Sequence, residues 1–304
     1  MSPSNWGTQP IQSAFRTHHS HPPPTLHPTL TRLPHPFIVC IIGASGKIGS
    51  SIALSYTQAG ASALILASRR IPHLENLAQK CHAENSALEM EIWDCDVTCS
   101  KSVEGLAERI RRRWGRLDVV VLVSGVSGLI RTKLTETEVE SFEEVTGTNY
   151  VGTFFCVKFL VPLMLEEEEE EEDVKKTFIG VSSMAAMIVR GPIANTQYCV
   201  SKCAQLKLLE HVHEQYQDQG LNCFAVHPGA VLSEQAERLA PIDFLPYLTD
   251  SPDLCGAFCV WLTVGEKQWL SGRLVSANWD VDELEGKKEE IVAKDALKLQ
   301  LSLP

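Results

Sequence analysis

From residue 37 onward, short runs of almost purely apolar residues alternate with longer helical stretches, and this alternation limits the folds open to the chain. The apolar runs fall at 37–42, 63–67, 88–93, 118–123, 177–181, 222–226 and 273–277. Between them the spacing predicts helices over 48–60, 74–82, 103–114, 138–165 and 196–217. A strand apolar on both faces has to be covered on both faces. Strands separated by helices meet that demand in a parallel sheet with helices above and below. The expected architecture is a three-layer, doubly wound α/β domain over 37–304 with a mostly parallel sheet.

Two segments depart from this texture. Residues 1–36 hold eight of the sixteen prolines and five of the ten histidines. Proline fixes φ and removes a donor, so a Pro/His-rich arm is expected there, lying on the domain or loose in solvent. Seven consecutive glutamates begin at Glu166, and Asp173 follows them. Like charges in sequence repel, so 166–173 reads as an acidic surface loop.

Charge and cysteine usage exclude several classes of function. The formal net charge is -11, and no Asp or Glu occurs before Glu75. A surface of that sign repels phosphate backbones and argues against a general nucleic-acid binder. No apolar run approaches the length of a membrane span, and no secretory leader core opens the chain. The ten cysteines include no CxxC pair, and those four apart lack a matching His set. They read as buried thiols of a reducing, cytoplasmic compartment, with no metal.

The first apolar run ends in IIGASGKIG, with Gly43, Gly46 and Gly49 three apart. After a strand and before a helix, this pattern suits a dinucleotide turn. Gly43 permits the tight bend, Gly46 a close approach of backbone to pyrophosphate, and Gly49 close helix packing, with Ser45, Lys47 and Ile48 lining the same turn. The helix N-terminus would then face the phosphates with its free amides. The second strand ends in LASRR, without the acid that commonly holds the ribose of NAD. Arg69 and Arg70 are suited instead to a 2′-phosphate, so NADP is favoured over NAD. Asp96 and Val97 after the third strand are expected to flank the adenine. Ser124 and Gly125 after the fourth would let the cofactor cross close to the sheet.

Tyr198 and Lys202 lie four apart in a predicted helix and share one face. Their pairing suits carbonyl reduction or alcohol oxidation: an ammonium beside a phenol is expected to draw its pKa down toward neutrality. Ser183, at a strand end, is placed to hydrogen-bond a substrate oxygen. Asn149 is expected to position a water or a carbonyl behind Lys202. Pro228 and Gly229 would turn the chain around a nicotinamide, with Val231 and Ser233 beside it. His227 reads as structural.

At these residues the chain resembles the short-chain dehydrogenase/reductase family, from about residue 37 to the C-terminus. The resemblance implies a Rossmann fold and a tetrad of Asn149, Ser183, Tyr198 and Lys202. It also implies a homodimer or homotetramer acting on a small-molecule ketone or alcohol. The glycine motif is altered, with Ile42 where threonine is usual. Val123 stands in LVSG where the family has a cofactor-contacting asparagine, which would weaken cofactor binding or rearrange the turn. The arm, the VHPGAV stretch and the C-terminal WLTVGEKQWLSGRLVSANWDVDEL resemble fungal members of secondary metabolism. That similarity implies a cyclic or polyketide-like substrate. Two other readings stay open: a weakly active or non-catalytic dinucleotide-binding protein, and an epimerase or dehydratase using the same Tyr–Lys pair.

Overall fold

The computed structural model describes residues 14–166 and 176–301. Seven parallel strands form one sheet in the order β3-β2-β1-β4-β5-β6-β7. They are β1 (Ile38–Ile42), β2 (Ala63–Ala67), β3 (Glu89–Trp93), β4 (Val119–Leu122), β5 (Lys176–Val181), β6 (Leu221–His227) and β7 (Leu274–Ser276). β1, β2 and β4 are buried at every position, as sheet strands covered on both faces must be. β3 lies at an edge and is only half-buried. The strand order reverses direction at β1, so the carboxyl ends of β1 and β4 open a crevice between them.

The flanking helices are α1 (Lys47–Gln58), α2 (Ile71–Glu84), α3 (Ser100–Trp114), α4 (Val139–Thr146), α5 (Gly152–Met164) and α6 (Thr196–Tyr216). The helix expected over 138–165 is interrupted by a π-helical turn, Gly147–Val151, between α4 and α5. Four further helices carried no sequence expectation: α7 (Glu234–Leu239), α8 (Pro252–Thr263), α9 (Val281–Gly286) and α10 (Lys288–Ala293). α8 lies against α1 so closely that a Cβ on Gly256 would sit 2.9 Å from the carbonyl oxygen of Ser51. Such a helix is apolar nearly all round and shows no amphipathic period. The signals that were present are Ser251 capping Asp253 and Pro252 in the first turn.

The described part of the N-terminal arm lies on the domain. Phe15 stacks on Trp279 at 4.1 Å between centroids, and His18 forms an antiparallel bridge with Trp279. The amides of Arg16 and Thr17 donate to Glu283, and His19 bonds Asp280 at 2.9 Å. Glu166 pairs with Arg111, whereas residues 167–173 of the acidic run lie outside the described residues. All ten cysteines are free thiols, and most are buried as expected. Cys99 is a correction: it is exposed, because it stands at the N-cap of α3. Among the described residues no group of three or more His, Cys, Asp or Glu is arranged to hold a metal, and no helix is long and apolar enough to cross a membrane.

Candidate active site

β1 delivers the chain into a turn at Gly43, where φ is +93°. A Cβ there would stand 2.5 Å from the amide nitrogen of Ser124. One Cβ on Gly49 would stand 2.4 Å from the carbonyl oxygen of Gly43. Both glycines are therefore required sterically: one lets β1 and β4 close, the other pulls α1 down onto the turn. The N-terminus of α1 then opens into a cleft of about 450 Å³ at the carboxyl ends of the strands.

The cleft brings together Gly43, Ser45, Gly46, Lys47, Ile48, Gly49, Arg69, Asp96, Val97, Ser124, Gly125, Tyr198, Lys202, Pro228 and Ser233. Asn149 and Ser183 do not line it, and neither do Gly229 and Val231. Gly229 (φ +93°) packs against Asp250, whose carboxylate accepts from the Ala230 amide at 2.6 Å and from Asn278 at 2.9 Å. These two residues shape the loop from behind. Ser68, Val126, Thr148, Ser182, Glu234, Gln235 and Arg238 line the cleft without having been expected there. Ser182 was legible in the VSS run; the α7 residues arrive by chain reversal and left no local signal.

At the basic end, Arg70 Nη2 donates to the carbonyl of Ser45 at 3.0 Å, and Arg70 Nη1 pairs with Glu234 at 2.7 Å. Lys47 donates to the carbonyl of Leu232 at 2.8 Å and to Glu237 at 2.9 Å. α7 is thus held against the glycine turn by two ion pairs. Both are solvent-exposed, so each is worth less than ~1 kcal/mol and is readily exchanged for another anion. Arg69 is the freer cation, 64% exposed and 4.0 Å from Asp96.

At the other end, Tyr198 and Lys202 occupy successive turns of α6, with the ammonium 5.9 Å from the ring centroid. Lys202 Nζ donates to the carbonyl of Val181 at 2.9 Å and to Gln205 Oε1 at 3.1 Å. Burial lowers its pKa to about 7. Burial also raises the Tyr198 phenol, against a hydrogen bond with the Ser183 side chain that pulls the other way. The expectation of a lowered phenol is therefore corrected. The same desolvation that places the two groups together removes much of the lysine's charge at neutral pH.

Ser183 follows β5, and its hydroxyl accepts from the Ala185 amide at 3.1 Å. Asn149 sits in the π-helical turn, fully buried. Its side chain binds both the amide and the carbonyl of Val126 at 2.8 Å, and its own carbonyl accepts from Thr153 at 2.7 Å. Asn149 thus holds the loop after β4 through the backbone of Val126. This bears on Val123 and Ile42. The amides of Val123 and Ser124 both donate to the Ile42 carbonyl, and Asn149 anchors Val126 beyond them, so the turn is hydrogen-bonded without an asparagine at 123. Ile42 itself is fully buried in the core. His227 is held near pKa 4 by burial, and its Nδ1 accepts from the Met184 amide at 3.4 Å, which fits a neutral structural histidine.

A stability consequence follows for Lys202. An unfolded lysine titrates near ~10.4, so between about pH 7 and that value the unfolded chain binds a proton the native chain lacks. Stability is therefore expected to rise with pH across that window, and Lys202→Met should flatten the rise. Urea midpoints of the two proteins at neutral and mildly alkaline pH measure it. Parallel curves would contradict the burial effect.

A glycine turn under a helix N-terminus, basic side chains at one end and a Tyr–Lys pair at the other define a nicotinamide-dinucleotide oxidoreductase site. Comparison with known proteins agrees. Residues 37–241 match the family described as short chain dehydrogenase. The chain is 34% identical over 313 residues to the short chain dehydrogenase pgmD of Aspergillus terreus, covering 99% of this chain and 97% of the relative. It is 36% identical over 287 residues to the short chain dehydrogenase mpl6 of Monascus purpureus, covering 91% and 94%. A Pseudomonas aeruginosa RhlG/NADP active-site complex superposes with a TM-score of 0.72 at 21% identity, covering 83% of this chain and 98% of that one. A single-residue variant of actinorhodin polyketide ketoreductase with NADPH superposes at 0.69 and 18% identity, covering 81% and 97%. This chain belongs to the short-chain dehydrogenase/reductase family, and its general chemistry is NAD(P)-dependent oxidoreduction of a small molecule.

Proposed function

We propose that the protein uses NADP(H) to interconvert a ketone and a secondary alcohol on a small cyclic or polyketide-like metabolite. The observation that carries this reading is the meeting of Tyr198 and Lys202 with the glycine turn, Arg69 and Arg70 in one cleft. The residues present fit the cofactor. The turn is kept clear of Cβ atoms, amides of α1 open toward the phosphate position, and the buried hydroxyl of Ser182 lines the cleft without a protein partner. Arg69, with Arg70 beside it, would hold the 2′-phosphate, Asp96 and Val97 the adenine side, and Pro228 with Ser233 the nicotinamide end. When bound, NADPH supplies hydride to the carbonyl carbon.

In the reductive direction Tyr198 donates its phenolic proton to the substrate oxygen as that oxygen gains charge. Ser183 orients the same oxygen, and Lys202 binds the ribose and supports the phenolate left behind. Oxidation reverses these roles. The segments after Ser183 and after α7 expose Val189, Ile242 and Tyr247, apolar surface suited to a ring system. The name of the actinorhodin enzyme supports the polyketide-like class by analogy. Exposed Tyr150 and Phe154 near the start of α5 and Val200 on α6 support a homodimer or homotetramer. We take residues 37–304 as one catalytic domain acting in the cytoplasm.

Screening cyclic ketones with NADPH and NADH tests the reading, together with the double variant Arg69→Ala/Arg70→Ala. Loss of two charge-assisted contacts at ~1.5–3 kcal/mol each is expected to weaken NADPH binding by about a hundredfold or more while changing NADH little. Equal loss for both cofactors would reject the phosphate assignment. Product formed without net cofactor consumption would favour the epimerase or dehydratase reading instead.

A further inference from the structure

One contact of Lys202 plays no part in the proposed hydride transfer. Its ammonium reaches Gln205, three residues along α6 and fully buried. Gln205 Nε2 in turn lies 3.0 Å from Thr153 Oγ1, and Thr153 Oγ1 lies 2.7 Å from the carbonyl oxygen of Asn149. Thr153 and Asn149 are fully buried as well. A hydroxyl has one hydrogen, and that of Thr153 goes to the Asn149 carbonyl, which can only accept. Thr153 Oγ1 can therefore only accept from Gln205, so the amide must turn its nitrogen to Thr153 and its oxygen to Lys202. The orientation of the Gln205 amide is thus decided by its partners.

We propose that Gln205 is a positioning residue for Lys202: an amide oxygen locked toward the ammonium, fixing where its remaining N–H points. With Val181, it engages two of the three ammonium hydrogens on the interior side and leaves the third for the cleft. An amide linked in this direction passes no proton without becoming an imidic acid. Lys202 therefore exchanges protons on the cleft side, where Tyr198 stands. The groups around the ammonium from every packed element are Tyr198 on α6, the Val181 carbonyl of β5, Gly125 after β4, and Asn149 with Thr153 from the π-turn and α5. Of these only Tyr198 titrates, and Lys202 has no carboxylate partner among the described residues. Two neutral acceptors, the Val181 carbonyl and the Gln205 amide oxygen, are then the local support for the lysine's charge.

The inference rests on the proposed hydride-transfer reading for its effect on turnover, but not for its first test. That test is an NMR titration of the Lys202 side chain in the cofactor-free protein, assigned with Lys202→Met and repeated in Gln205→Leu, Gln205→Glu and Thr153→Val. Gln205→Leu is expected to lower the midpoint by about one pH unit, Gln205→Glu to raise it by a similar amount, and Thr153→Val to lower it less. The alkaline limb of the NADPH-dependent rate should move in the same directions. Superimposable midpoints, or Leu and Glu shifts of one sign, would overturn the proposal. If both Gln205 variants fail to fold, an unchanged midpoint in Thr153→Val overturns it and a lowered one supports it. A protein that shows these shifts yet turns over no ketone would leave the positioning role standing and remove the proposed function.

Discussion

Tyr198→Phe is expected to lower kcat/KM for carbonyl reduction by a factor of about 10²–10⁴, the usual worth of a positioned proton donor. The change removes one oxygen from a half-buried side chain at the end of the cleft and leaves the ring in contact with Lys202. Its hydroxyl is hydrogen-bonded to Ser183, and among the described residues no other hydrogen bond to it is seen, so the melting temperature should move little. NADPH affinity measured by fluorescence should stay within a few-fold of wild type, because the glycine turn and the basic end lie at the opposite side of the cleft. A variant that turned over normally would remove Tyr198 from the chemistry, whatever its position suggests.

Asp118→Ala is expected to have the largest effect on stability. Asp118 is 1% exposed at the amino end of β4. Its carboxylate accepts from the Ile38 amide at 2.8 Å, from Lys176 at 2.8 Å and from Arg116 at 2.8 Å. It therefore ties the starts of β1 and β5 to that of β4. Removing the anion leaves two partly buried cations and one buried amide without it, and breaking a buried ion pair from one side costs about 3–5 kcal/mol. The denaturant midpoint should fall accordingly, and Asp118→Asn should fall less because an amide oxygen still accepts. The cluster lies at the end of the sheet away from the cleft, so the folded fraction should bind NADPH with unchanged affinity. An unfolding free energy within ~0.5 kcal/mol of wild type would show the cluster to be an ordinary surface feature.

The exposed pairs at the cofactor end behave differently. Arg70–Glu234 and Lys47–Glu237 are open to solvent, and each holds a cation where an anionic cofactor is expected. Little free energy is lost when such a pair is exchanged, so α7 can be held near the cleft without blocking it. Asp118 and Arg70 are both charged residues with close partners, and burial alone separates a strong stabiliser from a weak clasp.

Much of this molecule could be read along the chain. The apolar runs became the seven strands within a residue or two, because strand period and two-sided burial act over five residues. Gly43 and Gly49 were legible for the same reason: a tight turn and a close helix contact are backbone demands that only one residue type meets. Tyr198 and Lys202 were legible because helical geometry places residues four apart on one face. The register of α8 escaped notice because a helix buried nearly all round has no polar face to mark its period.

What the sequence by itself determined, then, is what depends on near neighbours: the strands, the glycine turn, the basic strand end and the Tyr–Lys face. Tertiary structure alone decided which charges meet and how much water each keeps. Glu234 reaches Arg70 across 164 residues of chain and Glu237 reaches Lys47 across 190, contacts that no local spacing encodes. The protonation of Lys202 likewise follows from the burial of its side chain, since a pKa measures the surroundings of a group and those surroundings exist only once the chain has folded.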